Sequence, residues 1–254
     1  MKKIIFTLLI ILTVLSCTDS EETIESKNIT LNFSHTWDGV PVTNADFNTF
    51  KFTTKNGEQL KIERLRYVIS DVTLETSNGE LIVINAHNLV DVTNNKNLTF
   101  APTAPILTGN YNNMSFIFGF KNEKNISAAY EDLNTAIFGV PEMLGGGYHY
   151  MQLDGKFKNE SDETIGYNFH AIRAVDASGD TPTFPKDTFI KVNLGPVSIS
   201  DNTTFNIEMN IAEWFKNPHT WNLNQLHQTL MPNTNAQIMM FDNGQSVFNL
   251  KSIN

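Results

Sequence analysis

Apolar and polar side chains alternate with a period of two along most of this chain, and turn-forming dipeptides cut the runs. The alternation predicts strands over 29–37, 48–54, 60–76, 81–85, 111–120, 148–157, 165–175, 188–194 and 204–211, with a last pair near 237–241 and 247–250. Asn56-Gly57, Asn78-Gly79 and Asn243-Gly244 each sit between such runs. Asn-Gly supplies the positive φ angles of a tight hairpin, so all three imply antiparallel neighbours. Helical spacing occurs over 126–138, through Ile126, Ala129, Tyr130, Leu133 and Ile137, and over a shorter stretch at 222–230. Many strands, few helices and no βαβ rhythm predict an all-β fold. The expected architecture is an antiparallel β-sandwich of Ig-like or Greek-key type, with one or two short helices in its connections.

Residues 1–17 stand outside that pattern. Lys2 and Lys3 precede an almost unbroken apolar run from Ile4 to Leu15, too short to span a bilayer. Val14-Leu15-Ser16-Cys17 closes the run in the manner of a bacterial lipobox, with Cys17 as the residue that takes the lipid. Cys17 is also the only cysteine, so no disulfide can form within the chain. The expectation is a lipoprotein signal over 1–17, a flexible acidic tether over 18–27, and one sandwich domain over 28–254. Acyl chains would then hold the protein on the cell outer membrane, facing the periplasm or the cell surface, without crossing the bilayer.

Charge narrows the choice of partners. The chain has 27 acidic against 18 basic side chains, a formal net charge of −9. A nucleic-acid surface needs phosphate-neutralising lysines and arginines, so nucleic acid is excluded as a partner.

The candidate chemistry lies in the histidines: His35, His87, His149, His170, His219 and His227. In the run from Leu31 to Trp37, His35 shares a parity with Leu31, Phe33 and Trp37, the buried side. In GGGYHYMQLDGKF (145–157), His149 shares a parity with Met151 and Leu153, while Asp154 falls on the other side with Tyr148, Tyr150 and Gln152. A polar turn over 158–164 joins this strand to the one carrying His170, and a hairpin folded about its middle would set His149 opposite His170. That register is an assumption, and a slip of one residue would undo it. A lone histidine on an apolar face is ordinarily a core residue with both nitrogens hydrogen-bonded. Two that face each other, with a third on a buried parity, point instead to a metal. Neutral imidazoles suit copper and zinc, and Met151, otherwise a core filler, would add a thioether that leans toward Cu(I). The candidate ligands are His35, His149 and His170, with Met151 as an additional one.

Ordered segments across the chain carry a resemblance. They are Phe33-Ser34-His35; Gly57 followed by Ile62-Glu63-Arg64-Leu65-Arg66-Tyr67-Val68-Ile69-Ser70-Asp71-Val72-Thr73-Leu74; Gly109-Asn110-Tyr111 leading to Phe118-Gly119-Phe120; 147–155; Gly166 to His170; Leu230-Met231-Pro232-Asn233; and Asp242 to Phe248. Together these resemble the MbnP-like copper-binding proteins, β-sandwich proteins of bacterial envelopes linked to methanobactin and copper handling. The resemblance implies copper, Cu(I) or Cu(II), on histidines, with His35 and His170 at the matching positions and His149 inside a matching strand. Some members use a tryptophan oxidised to kynurenine by a dihaem peroxidase-type partner, in a segment where tryptophan follows soon after a methionine. Here Met143 is followed by Leu144-Gly145-Gly146-Gly147, so neither that ligand nor that partner has a matching residue, and His149 stands near the vacancy.

Three function classes follow. The first is a lipid-anchored envelope protein that sequesters or delivers copper. The second is a non-catalytic surface module for glycans or proteins on the same sandwich, for which Trp214 and Trp221, flanking Pro218, would offer stacking surfaces if they were exposed rather than plugging the core. An enzyme is the weakest reading, since neither a Gly-x-Ser-x-Gly elbow nor a His-Glu-x-x-His pattern appears.

Overall fold

The computed structural model describes residues 25–254; the lipobox, Cys17 and most of the acidic tether lie outside the described residues. A seven-stranded sheet and a five-stranded sheet face each other across one main apolar core. The larger sheet runs in the order Thr164–Ala171, Met151–Lys158, Gln59–Thr76, Gly109–Phe118 and Ile190–Ile199, with Phe52–Thr53 and Leu81–Asp91 paired to the long Gln59–Thr76 strand. The smaller sheet runs Phe248–Ile253, Thr203–Asn210, Ile29–Trp37 and Val40–Pro41, with Thr99–Phe100 on the side of Ile29–Trp37. Ser26–Lys27 and Ile106–Leu107 form a separate two-stranded ribbon. Among the described residues all strand pairings are antiparallel except one: Thr203–Asn210 lies parallel to Ile29–Trp37. Among the described residues no helix is long and apolar enough to cross a membrane.

Alternation explains the sandwich directly. Thr203–Asn210 buries every second residue, Phe205, Ile207 and Met209 among them, and Ile29–Trp37 buries Ile29, Leu31, Phe33, His35 and Trp37. These side chains meet the inner face of the larger sheet, where Phe33, Tyr67, Phe116, Phe118 and Phe248 pack as edge-on or tilted rings. Each fully buried apolar side chain contributes about 1.5–3 kcal/mol. Trp214 and Trp221 are part of this core and offer no surface for stacking.

The helices depart from expectation. Over 126–138 only Glu131–Thr135 is helical, because Ala128 and Ile137 take positive φ angles that interrupt the turn on either side. Residues 222–230 form turns, not a helix. The longest helix among the described residues, Thr234–Gly244, occupies a segment expected as strand, and Asn243-Gly244 ends it instead of turning a hairpin. Asn243 is buried there and donates to the carbonyls of Trp214 and His219. Gly244 is needed for contact: a Cβ would fall 2.3 Å from Ile190 Cδ1 and 2.8 Å from the Trp214 ring. The other two Asn-Gly pairs behave as hairpin turns, joining Phe52–Thr53 and Leu81–Asp91 to the long strand.

Candidate functional site

The hairpin of Met151–Lys158 and Thr164–Ala171 sets the geometry of the histidine site. Asn159 organises its turn, accepting from the backbone of Ser161 and Glu163 through its side chain. The turn fixes a register in which Gln152 pairs with His170, Met151 with Ala171 and Asp154 with Asn168. His149 is therefore not directly opposite His170. The regular strand begins only at Met151, after a bend at Tyr150, so parity counted back to His149 fails. Met151 points into the sandwich core, between Tyr67 and Ala171, whereas His149 lies against His170. The expected shared face of His149 and Met151 is thus corrected, and so is the expected separation of Asp154 from the histidines.

His149 and His170 stand edge to face, their ring centroids 5.1 Å apart. Each ring has one nitrogen committed. His149 Nδ1 lies 2.9 Å from the Phe138 carbonyl, which also accepts from the His149 backbone amide at 3.0 Å. A carbonyl only accepts, so the proton is on Nδ1 and the lone pair on Nε2. That Nε2 is buried and has no hydrogen-bond partner. His170 Nε2 lies 2.8 Å from Asp154 Oδ1, and because a carboxylate accepts, Nε2 is the donor there and Nδ1 is the ring nitrogen left outside that bond.

Charge around the pair is tightly arranged. Arg64 Nε donates to Asp154 Oδ2 at 2.5 Å, and Asn168 donates to Asp154 Oδ1 at 2.6 Å. Arg66 Nε donates to Gln152 Oε1 at 2.7 Å, with its guanidinium 5.4 Å from the centroid of the Phe138 ring. Burial pushes the His149 pKa down to about 4; the Phe138 carbonyl opposes the shift, and His170, Arg66 and Arg64 add to it. Burial alone would raise Asp154, but hydrogen bonds from His170, Asn168 and Arg64 outweigh it and hold the carboxyl at about 2. His149 is therefore a neutral donor and Asp154 an anion throughout the physiological range.

The chain leading to His149 is held by close contacts. Gly145, Gly146 and Gly147 all take positive φ, and a Cβ on Gly147 would fall 2.7 Å from Asn125 Oδ1. The glycine run thus presses the loop against its neighbours and delivers His149 to the Phe138 carbonyl.

His35 is elsewhere. It lies inside the sandwich with Nε2 3.1 Å from the Tyr67 hydroxyl, and burial lowers its pKa to about 4. Tyr67 faces the core while its neighbour Arg66 faces the His149–His170 pair, so the larger sheet separates His35 from the other two. The other three histidines have partners: His87 and His219 bond Asp132 and Asp242, and His227 bonds the Leu223 carbonyl. Among the described residues no group of three or more His, Cys, Asp or Glu side chains is arranged to hold a metal ion. Phe138, Gln152, Arg64, Arg66 and Asn168 were not singled out from the sequence. The only signal there was that Gln152, Asp154 and Asn168 share parities on paired strands, which becomes informative once the register is known.

The fold has a solved counterpart. MbnP from Methylosinus trichosporium is similar to this chain, with a TM-score of 0.53 and 14% identity over 76% of this chain and 78% of that one. At that identity the likeness is one of fold. No curated protein matches the sequence significantly. The sequence model of the MbnP family matches residues 26–240, most of the chain, and the chain belongs to the MbnP family.

Proposed function

We propose that this protein binds copper as Cu(I), with His149 Nε2 and His170 Nδ1 as donors, and that it sequesters or delivers the metal at the cell envelope from a lipid anchor on Cys17. The observation that carries this reading is the buried, unpartnered Nε2 of His149 beside a second imidazole. An orphaned buried acceptor is costly and calls for a partner, here a soft cation or a donor. Second acceptors fix both rings, the Phe138 carbonyl on one and Asp154 on the other, as is usual for metal-ligating histidines. Two imidazoles supply only half of a tetrahedral zinc set. Arg64 and Arg66 beside them oppose a divalent ion more than a monovalent one. Bound metal would supply a soft, thiophilic charge; the protein's part is to keep His149 neutral and both imidazoles oriented.

A competition titration with a chromophoric Cu(I) chelator tests the reading. The wild-type chain is expected to withdraw about one equivalent of Cu(I). His149→Ala and His170→Ala should each abolish this capacity. No withdrawal by the wild type, or undiminished withdrawal by both variants, overturns it.

A further inference from the structure

A cavity of about 320 Å³ opens beside the long Gln59–Thr76 strand and is lined by Ser70, Asp71, Asn85, His87, Phe120, Lys124 and Tyr130. That size lies at the small end of the roughly 300–1,000 Å³ span of small-molecule sites. A bulge creates the cavity's chemistry. The pairing of the long strand shifts register between Ser70 and Val72 on one side and between Ser70 and Thr73 on the other. Asp71 at that point takes a φ of 49°, a left-handed conformation uncommon for a side-chain-bearing residue. The bulge places Asp71 on the lining of the cavity while leaving the residue only 2% exposed.

Half of that carboxylate is satisfied. Oδ1 accepts from Lys124 Nζ at 2.6 Å, and the same ammonium donates to Asn85 Oδ1 at 2.5 Å. Oδ2 is buried with no hydrogen-bond partner, and Lys121 Nζ stands 4.0 Å from it. A buried anionic oxygen without a donor is among the costliest groups a fold can retain, and it calls for a ligand that donates. The rest of the lining is largely aromatic: Phe120 and Tyr130 stack with centroids 4.8 Å apart, and the His87 ring lies 4.5 Å from Tyr130. His87 is held there by Asp132.

We propose that this cavity binds a neutral, hydroxyl-bearing ring the size of one sugar residue. A hydroxyl of the ring donates to Asp71 Oδ2, the Lys124 ammonium and the Asn85 amide donate to its oxygens, and its flat apolar face lies on the aromatic wall. Charge decides against the nearest alternatives. An ammonium at Oδ2 would meet both Lys121 and Lys124, and an anion would meet Asp71 itself. A hydroxyl meets neither penalty. The site is independent of the histidine pair and stands or falls without copper.

Saturation-transfer NMR followed by calorimetry, using the methyl glycosides of glucose, galactose, mannose and N-acetylglucosamine, tests the proposal on the full chain. At least one glycoside is expected to bind at millimolar concentration or below. Asp71→Asn should weaken that binding by about tenfold or more, the loss of a hydrogen bond to a charged group. Lys124→Met and Tyr130→Ala, read alongside, keep the test sound if Asp71→Asn does not fold, and both should weaken binding too. His149→Ala should leave it unchanged. Failure of all four glycosides to bind overturns the proposal, as does undiminished binding in the cavity variants. Binding of free glycine or serine that depends on Asp71, in place of the glycosides, overturns it in favour of a zwitterionic ligand.

Discussion

Asp154 Oδ1 lies 2.8 Å from His170 Nε2 and also accepts from Asn168, while Arg64 holds the second carboxylate oxygen, Oδ2. The imidazole is thereby fixed in orientation, with Nε2 as its donor to the carboxylate. Asp154→Asn keeps the shape and removes the charge, so His170 loses the partner that enforces Nδ1 as the free donor. Cu(I) affinity is expected to fall by about 10–100-fold, the usual cost of removing such a partner. Chelator competition on the folded variant checks this, and an affinity equal to wild type would show that Asp154 serves only Arg64.

Two buried histidines make stability depend on mildly acidic pH. His35 and His149 both have pKa values lowered to about 4, against 6.5 for an exposed imidazole. Between those values the unfolded chain binds protons that the native chain does not, so stability rises with pH through this window and is lost as pH falls from about 6.5 toward 4. From pH 7 to pH 5 each histidine is expected to cost about 2 kcal/mol. Asp154, held at about 2, titrates below the window and does not contribute to this slope. Urea melts of the metal-free chain at the two pH values measure the loss. His35→Gln should flatten the slope by about half, and a slope that does not change would show that its imidazole is already protonated when folded.

How much of this was legible in the sequence depends on what period two can carry. The strands were legible where one face is apolar, as at Ile29–Trp37, whose observed bounds match those expected. Helix Thr234–Gly244 was not. Its buried positions, 236, 237, 240, 243 and 244, do recur at helical spacing, but they include Gln237, Asn243 and Gly244 while Ile238, Met239 and Phe241 are only half-buried. An apolar count therefore follows the wrong face. The proximity of His149 and His170 was expected, but by the wrong route. The true register places His170 opposite Gln152, and a bend at Tyr150 then returns His149 to the same side. Asp154 was set aside for the same reason, since parity cannot be counted through a bend.

Gly244 gives that correction a direct test. A hairpin glycine tolerates alanine poorly because of its φ; a packing glycine does so because of its neighbours. Gly244 sits in a helix, with Ile190 and Trp214 where a methyl would go. Gly244→Ala is expected to destabilise the chain by about 1–3 kcal/mol through overpacking. Pairing it with Ile190→Val, which shortens the clashing side chain, should recover part of that loss. Additive effects in the double variant would place the strain elsewhere.

His35 separates the structural role of a buried histidine from a ligand role. It lies within the residues matched to the family, as His170 does, yet its Nε2 meets the Tyr67 hydroxyl across the core, on the far side of the sheet from His149. Removing it leaves a buried phenol without its partner and opens space among Phe33 and Tyr67. His35→Ala is therefore expected to lower stability by about 2–4 kcal/mol, from the unsatisfied hydroxyl and the cavity together. Because that damage lies behind the sheet, copper affinity of the folded fraction should stay within about threefold of wild type, well under one pH-unit equivalent of free energy. Denaturant melts and Cu(I) competition on the same preparation read the two quantities separately. A His35→Ala chain that folds normally but no longer holds copper would place the metal inside the sandwich, on His35 and Tyr67, and would remove it from the His149–His170 pair.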